Sequence, residues 1–153
     1  MANTVLASII AAFPAYTFAS DSDCFWSPET ATIHYCKQMS EQDVWDVLHE
    51  IGHAQLGHRS YDLDVSLLRN EVAAWEHAMM VLAPRFKIVI DPNYKEAQLD
   101  TYRDWLYARS LCPNCQHAGI QKANLSYQCF NCSSSWHAND ARRRRLKRTR
   151  SNV

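Results

Sequence analysis

Apolar positions change their period several times along the chain, and each change predicts an element. Thr4 to Ala12 is apolar enough for a short amphipathic or buried helix, read over 3–13. Phe25-Trp26-Ser27-Pro28-Glu29 and Thr32-Ile33-His34-Tyr35 read as two short strands around a turn, within a β segment at 23–35. From Ser40 the period becomes helical, with Val44, Leu48 and Ile51 on one face. Ser40 and Asp43 form a capping-box signature, and Gly57 is a natural stop. Val65, Leu68, Val72, Trp75, Met79 and Leu82 predict a second helix over 65–82, ended by Pro84. Asp91-Pro92 opens a third, running to Arg109. Ile120-Gln121-Lys122 and Leu125 to Gln128 suit two strands with Ala123-Asn124 at the turn. The fold class is therefore α+β, and the tryptophans at 26, 45, 75 and 105 are expected in the core.

Composition narrows this little. The 153 residues are 47% hydrophobic and 21% charged, with 3 Gly and 5 Pro, which excludes collagen-like and fully disordered chains. No apolar run is long enough for a membrane-spanning helix. Val5 to Ala19 resembles an export signal but lacks a positive n-region, since the first basic residue is Lys37.

Charge is more informative. The formal net charge is zero, yet Arg142, Arg143, Arg144, Arg145, Lys147, Arg148 and Arg150 crowd a C-terminal segment that holds no acid after Asp140. A block of this kind is a nucleic-acid footprint, a solubilising tail or one that folds back on its own acidic body, and the segment 139–153 is expected to be disordered.

The six cysteines divide by spacing. Cys112-Pro-Asn-Cys115 and Cys129-Phe-Asn-Cys132 are two C-x-x-C pairs separated by 13 residues. Two such knuckles on a hairpin can aim four thiolates at one ion, so 110–138 reads as a structural zinc ribbon. Trp136 is placed to cover it. Cys24 and Cys36 stand apart and are expected to be free thiols, able to pair with each other only if the protein were exported.

Catalytic chemistry centres on His49-Glu50-Ile51-Gly52-His53. Residues 49 and 53 share a helix face, so both imidazoles can bind one zinc. Glu50 is turned away by about 100°. It can act as general base on a zinc-held water and later protonate the leaving amine. Gly52 would let a second backbone approach closely. The third ligand should come from the following helix. Glu71, 18 residues after His53, shares a face with Ala74, Trp75 and Ala78 and is the leading choice, with His58 and Glu76 as alternatives. Tyr61, His58 and His77 are candidate donors to a developing oxyanion.

The stretch His49 to His58, HEIGHAQLGH, with Glu71-Val-Ala-Ala-Trp-Glu-His-Ala and Leu82-Ala-Pro84, resembles the ImmA/IrrE-type zinc metallopeptidases. Ala73, His77 and Ala83 depart from the usual pattern of that family's second helix. The resemblance covers about residues 1–108. It implies a small zincin-like domain with a short sheet, whose edge along the cleft would be the strand at 31–35. It also implies a soluble, cytoplasmic protease acting on a protein substrate. A metalloprotease core followed by a C-terminal zinc ribbon is similar to the architecture of SprT-like proteases, which act on proteins attached to DNA. Arg59 stands where metzincins carry histidine, which excludes that class.

The expected organisation is a metallopeptidase domain at 1–109, a ribbon at 110–138 and a basic tail at 139–153. The expected function is zinc-dependent endoproteolysis with one catalytic and one structural zinc, no membrane, and nucleic-acid contact through ribbon and tail. The competing expectation is a nucleic-acid-binding ribbon protein whose N-terminal domain holds a metal but cleaves nothing.

Overall fold

A computed structural model describes residues 1–140 and 145–151. Among these residues the protein has four α-helices and two small sheets, an α+β fold. Arg142, Arg143 and Arg144 lie outside the described residues. None of the described helices is long and apolar enough to cross a membrane. The chain packs as two units, one of residues 1–59 and 70–95, the other of residues 60–69 and 96–153. This differs from the boundary expected at 109: residues 60–69 and most of the last helix pack with the cysteine-bearing segment.

In the first unit, helix α1 (Ala2–Ala12) buries Leu6 and Ile9. A three-stranded sheet follows, of β1 (Thr17–Asp21), β2 (Phe25–Ser27) and β3 (Thr32–Cys36), in the order β1-β3-β2. β1 runs parallel to β3, and β2 antiparallel to it. The strand expected at the edge, 31–35, is therefore the central one, with β2 and β1 on the edges. β1 itself went unread, because its partner is non-local and its residues extend the apolar stretch after α1.

Helix α2 (Glu41–Gln55) starts as its sequence dictates. The Ser40 hydroxyl accepts from the Asp43 N–H, and the Asp43 carboxylate accepts from the Ser40 N–H, so two orphan amides are satisfied. Its core face buries Val44, Val47, Leu48 and Ile51. Helix α3 (Asp64–His77) does not run on to 82 as a regular helix. It widens into a π turn over Ala78–Leu82 and tightens into a 3₁₀ turn over Ala83–Phe86. Pro84 explains the break: it has no N–H for the carbonyl of Met80, and its ring needs room there. Gly52 of α2 meets the backbone of α3, where an added Cβ would lie 2.7 Å from the Ala74 carbonyl oxygen. Helix α4 (Pro92–Ser110) opens with Asp91 accepting from the Asn93 N–H.

The second unit holds a four-stranded antiparallel sheet of β4 (Ile120–Ala123), β5 (Ser126–Gln128), β6 (Ser135–Ala138) and β7 (Arg148–Arg150). The β4–β5 turn falls on Asn124-Leu125, with Leu125 left-handed at φ 59°, one residue later than expected. The described end of the tail is not disordered. Arg148–Arg150 pairs with β6, and Asn139 fastens the return through bonds to the Arg145 carbonyl and the Lys147 backbone.

Candidate metal centres

Two donor sets come together, one in each unit. In the first unit, α2 presents His49 and His53 one turn apart, and α3 brings Glu71 to them. His49 Nε2 lies 3.1 Å from His53 Nε2. The Glu71 carboxylate oxygens lie 3.1 Å from His49 Nε2 and 3.4 Å from His53 Nε2. All three residues are buried. A zinc ion with ligands at about 2.0–2.1 Å spaces tetrahedral donors about 3.3–3.4 Å apart, so this triangle has the right size. Glu71 Oε2, though close to His49, accepts no well-directed hydrogen bond, and a buried unsatisfied oxygen is what a cation would complete.

Each imidazole is also held from behind. The His53 Nδ1 lies 2.9 Å from the His58 Nδ1, and the His49 Nδ1 lies 3.3 Å from Glu50 Oε1. Outer partners on Nδ1 leave Nε2 facing the centre, the arrangement that fixes a ligating tautomer. Trp75 stacks on His49 with ring centroids 4.3 Å apart. Burial disfavours a charge on His49, but Glu50 and Glu71 outweigh it and push its pKa up to about 9. Burial would raise Glu71, yet His49 and His53 hold it well below the usual carboxylate range. Burial and then the neighbouring His53 lower the pKa of His58.

Glu50 is tied to the sheet. The Trp26 N–H of β2 donates to Glu50 Oε2 at 2.9 Å, and the Trp26 indole N–H donates to the His58 carbonyl at 3.1 Å. Trp26 thus bridges the two ends of the site, a role its aromatic character alone does not announce. Glu50 approaches His49 on its Nδ1 side, whereas the Glu71 carboxylate meets both Nε2 atoms. Of the alternatives, His58 stands behind His53 and Glu76 is exposed. His77 is engaged with the Gln55 side-chain oxygen at 2.7 Å. Tyr61 belongs to the other unit.

In the second unit, Cys112, Cys115, Cys129 and Cys132 bring four sulfurs within 4.8 Å of one another. Cys112 and Cys132 are 3.6 Å apart, and Cys115 and Cys129 3.5 Å. Four thiolates at about 2.3 Å from zinc lie about 3.8 Å apart, so this set also fits. The two knuckles match: the residue after each second cysteine, Gln116 and Ser133, has positive φ, 64° and 59°. The Asn114 amide and its side chain donate to Cys112 and Cys132 sulfurs, each at 3.4 Å. The Ser134 and Asn114 side chains lower the Cys132 pKa to about 5, which favours the thiolate that a metal needs. Trp136 is buried beside the set, stacked on Tyr127, and donates to the Arg109 carbonyl.

The four cysteines could hold a metal ion, and so could the cluster of His49, Glu50 and His53, whose donor atoms lie within 4.8 Å of one another. Among the described basic residues of the tail, Arg145, Lys147 and Arg150 are exposed, while Arg148 is half-buried and donates to the Leu111 carbonyl. Comparison with models of known families, with curated proteins and with solved structures finds no match for this chain.

Proposed function

We propose that the protein is a zinc-dependent endopeptidase of ImmA/IrrE-like character, with a zincin-like centre in its first unit and a structural zinc ribbon in its second. The observation that carries this reading is the triangle of His49, His53 and Glu71 with Glu50 beside it, on the helix pair where the sequence resembles that family. When bound, zinc supplies a Lewis acid for the scissile carbonyl and acidifies a water. His49, His53 and Glu71 hold the ion. Glu50 takes a proton from the attacking water and returns it to the leaving amine. The Trp26 N–H keeps one Glu50 oxygen in place while the other is exchanged between His49 and the proton. A peptide substrate lies beside β2, the sheet edge that touches Glu50.

The ribbon, with Arg145, Lys147, Arg148, Arg150 and the preceding Arg142, Arg143 and Arg144, contacts nucleic acid or a protein bound to it. That affinity falls steeply with salt. A second reading has its own support. Glu50 sits where an orienting carboxylate behind His49 would sit, as expected for a domain that binds metal and cleaves nothing.

The test is casein hydrolysis by zinc-loaded protein and by Glu50→Gln, with metal content measured on both. Under the protease reading the variant keeps its zinc and loses at least about a hundredfold in rate. Equal rates, or no hydrolysis by either, favour the second reading.

A further inference from the structure

Away from both donor sets, two more sulfurs meet. Cys24 immediately precedes β2 and Cys36 closes β3. Both are free thiols, as expected, and their sulfurs lie 3.8 Å from each other. We infer that Cys24 and Cys36 are an oxidisable dithiol, closing to an intramolecular disulfide by exchange with a small-molecule disulfide such as oxidised glutathione.

Antiparallel pairing of β2 with β3 creates the contact. Phe25 stands opposite His34 at the end of the ladder, and Cys24, which precedes β2 and is free of its alternation, lies beside Cys36 at the end of β3. Asp43 completes a group that could hold a cation, but its Oδ2 already accepts from the Ser40 N–H and hydroxyl, each at 2.6 Å. Withdrawing it would open the capping box of α2. With that carboxylate oxygen committed to the cap, the two sulfurs have each other as their nearest reactive partners. The sulfurs also approach backbone carbonyls, Cys36 that of Ser22 at 3.5 Å and Cys24 that of Asp43 at 4.0 Å.

The exchange balances without further reagents. Cys36, the less deeply set of the two, attacks the small disulfide as its thiolate, forms a mixed disulfide and releases one small thiolate. Cys24 then loses its proton, attacks the Cys36 sulfur and releases the second. The protein gains one S–S bond, and the oxidant is reduced to two thiols. Burial pushes both thiols up, so this pair reacts slowly, over minutes to hours. Trp26 lies two residues beyond Cys24, so the new bond fastens the strand whose N–H holds Glu50.

The test treats reduced, zinc-loaded full-length protein with oxidised glutathione and maps its peptides by mass spectrometry without reduction. The expected product is a Cys24–Cys36 linked peptide. In Cys24→Ser, Cys36 should instead carry glutathione. Thermal melting gives a second readout: closing a short loop should raise Tm by several degrees. A map with no Cys24–Cys36 link, or a link whose formation lowers Tm, overturns the inference. Neither result depends on whether the chain is a protease.

Discussion

The two donor sets differ in what surrounds them more than in what they could bind. The histidine–glutamate set hangs on helices that already have a reason to exist: α2 buries Val44, Val47, Leu48 and Ile51, and α3 contributes Ala74 and Trp75. The cysteine set has no such independence. The buried cluster around it is Cys112, Cys129, Tyr127, Trp136 and Ala138, so two prospective ligands are themselves core. A centre set into a finished core can leave a coordination position open for chemistry. A centre that is the core must be closed.

The sharpest way to break that contrast is to remove metal. Chelation, or Cys112→Ser, should unfold β4–β7, because structural zinc in small domains contributes about 10–16 kcal/mol of apparent folding energy. NMR should show the Tyr127 and Trp136 signals collapsing to unfolded positions while the α2 signals persist. Retention of the sheet without metal would erase the distinction. Next in size is His53→Ala. It should cost one metal equivalent per chain, by elemental analysis, with little loss of helical signal. Unfolding of α2 in that variant would show that the first centre, too, is structural.

Gly52→Ala probes the helix contact that brings Glu71 to α2. The new Cβ would meet a backbone oxygen rather than a yielding side chain, so overpacking of about 1–3 kcal/mol is expected, read as a lower Tm. His58→Phe asks less of the fold. It keeps an aromatic ring but removes the nitrogen behind His53, and should weaken metal binding about 10–100-fold in a competitive chelator titration. Unchanged affinity would mean that His53 needs no partner on its far side.

Which of these features could be read in advance follows from their range along the chain. The capping box at Ser40 and Asp43, the i, i+4 histidines and the Glu71–Ala74–Trp75–Ala78 face are local, governed by helical period, and were legible. The structure buries Glu71 beside the two histidines and leaves Glu76 exposed. Contacts set by strand pairing were not legible. β1 binds β3 in parallel with β2 between them in sequence, and Cys24 meets Cys36 only where the chain enters β2 beside the end of β3. Trp26 reaches Glu50 through its backbone amide, which no side-chain pattern reports. The tail misled for a different reason. Its charge suggested a solvated chain, but Arg148–Arg150 has β6 to pair with, and long arginine stems can lie along a sheet with their heads in water.

The smallest expected effect separates the two regions by pH. Asp46 lies one turn before His49 and accepts from the Tyr94 hydroxyl through both oxygens, at 3.0 and 3.1 Å. Burial outweighs that bond and raises its pKa from 3.8 to about 6. Below 3.8 the folded and unfolded chains both hold the proton. Between 3.8 and about 6 the folded chain keeps it while the unfolded chain releases it, so stability falls as pH rises through this window and then levels. Asp46→Asn cannot ionise and should lose that slope. At pH 7 it should be the more stable form by about 1 kcal/mol, and below pH 4 the two should converge. The difference between the two melting curves isolates Asp46 from every carboxylate they share, and it should appear in the α2 signals and not in those of β4–β7. A slope of the opposite sign would mean that the Tyr94 bond, rather than burial, governs this side chain.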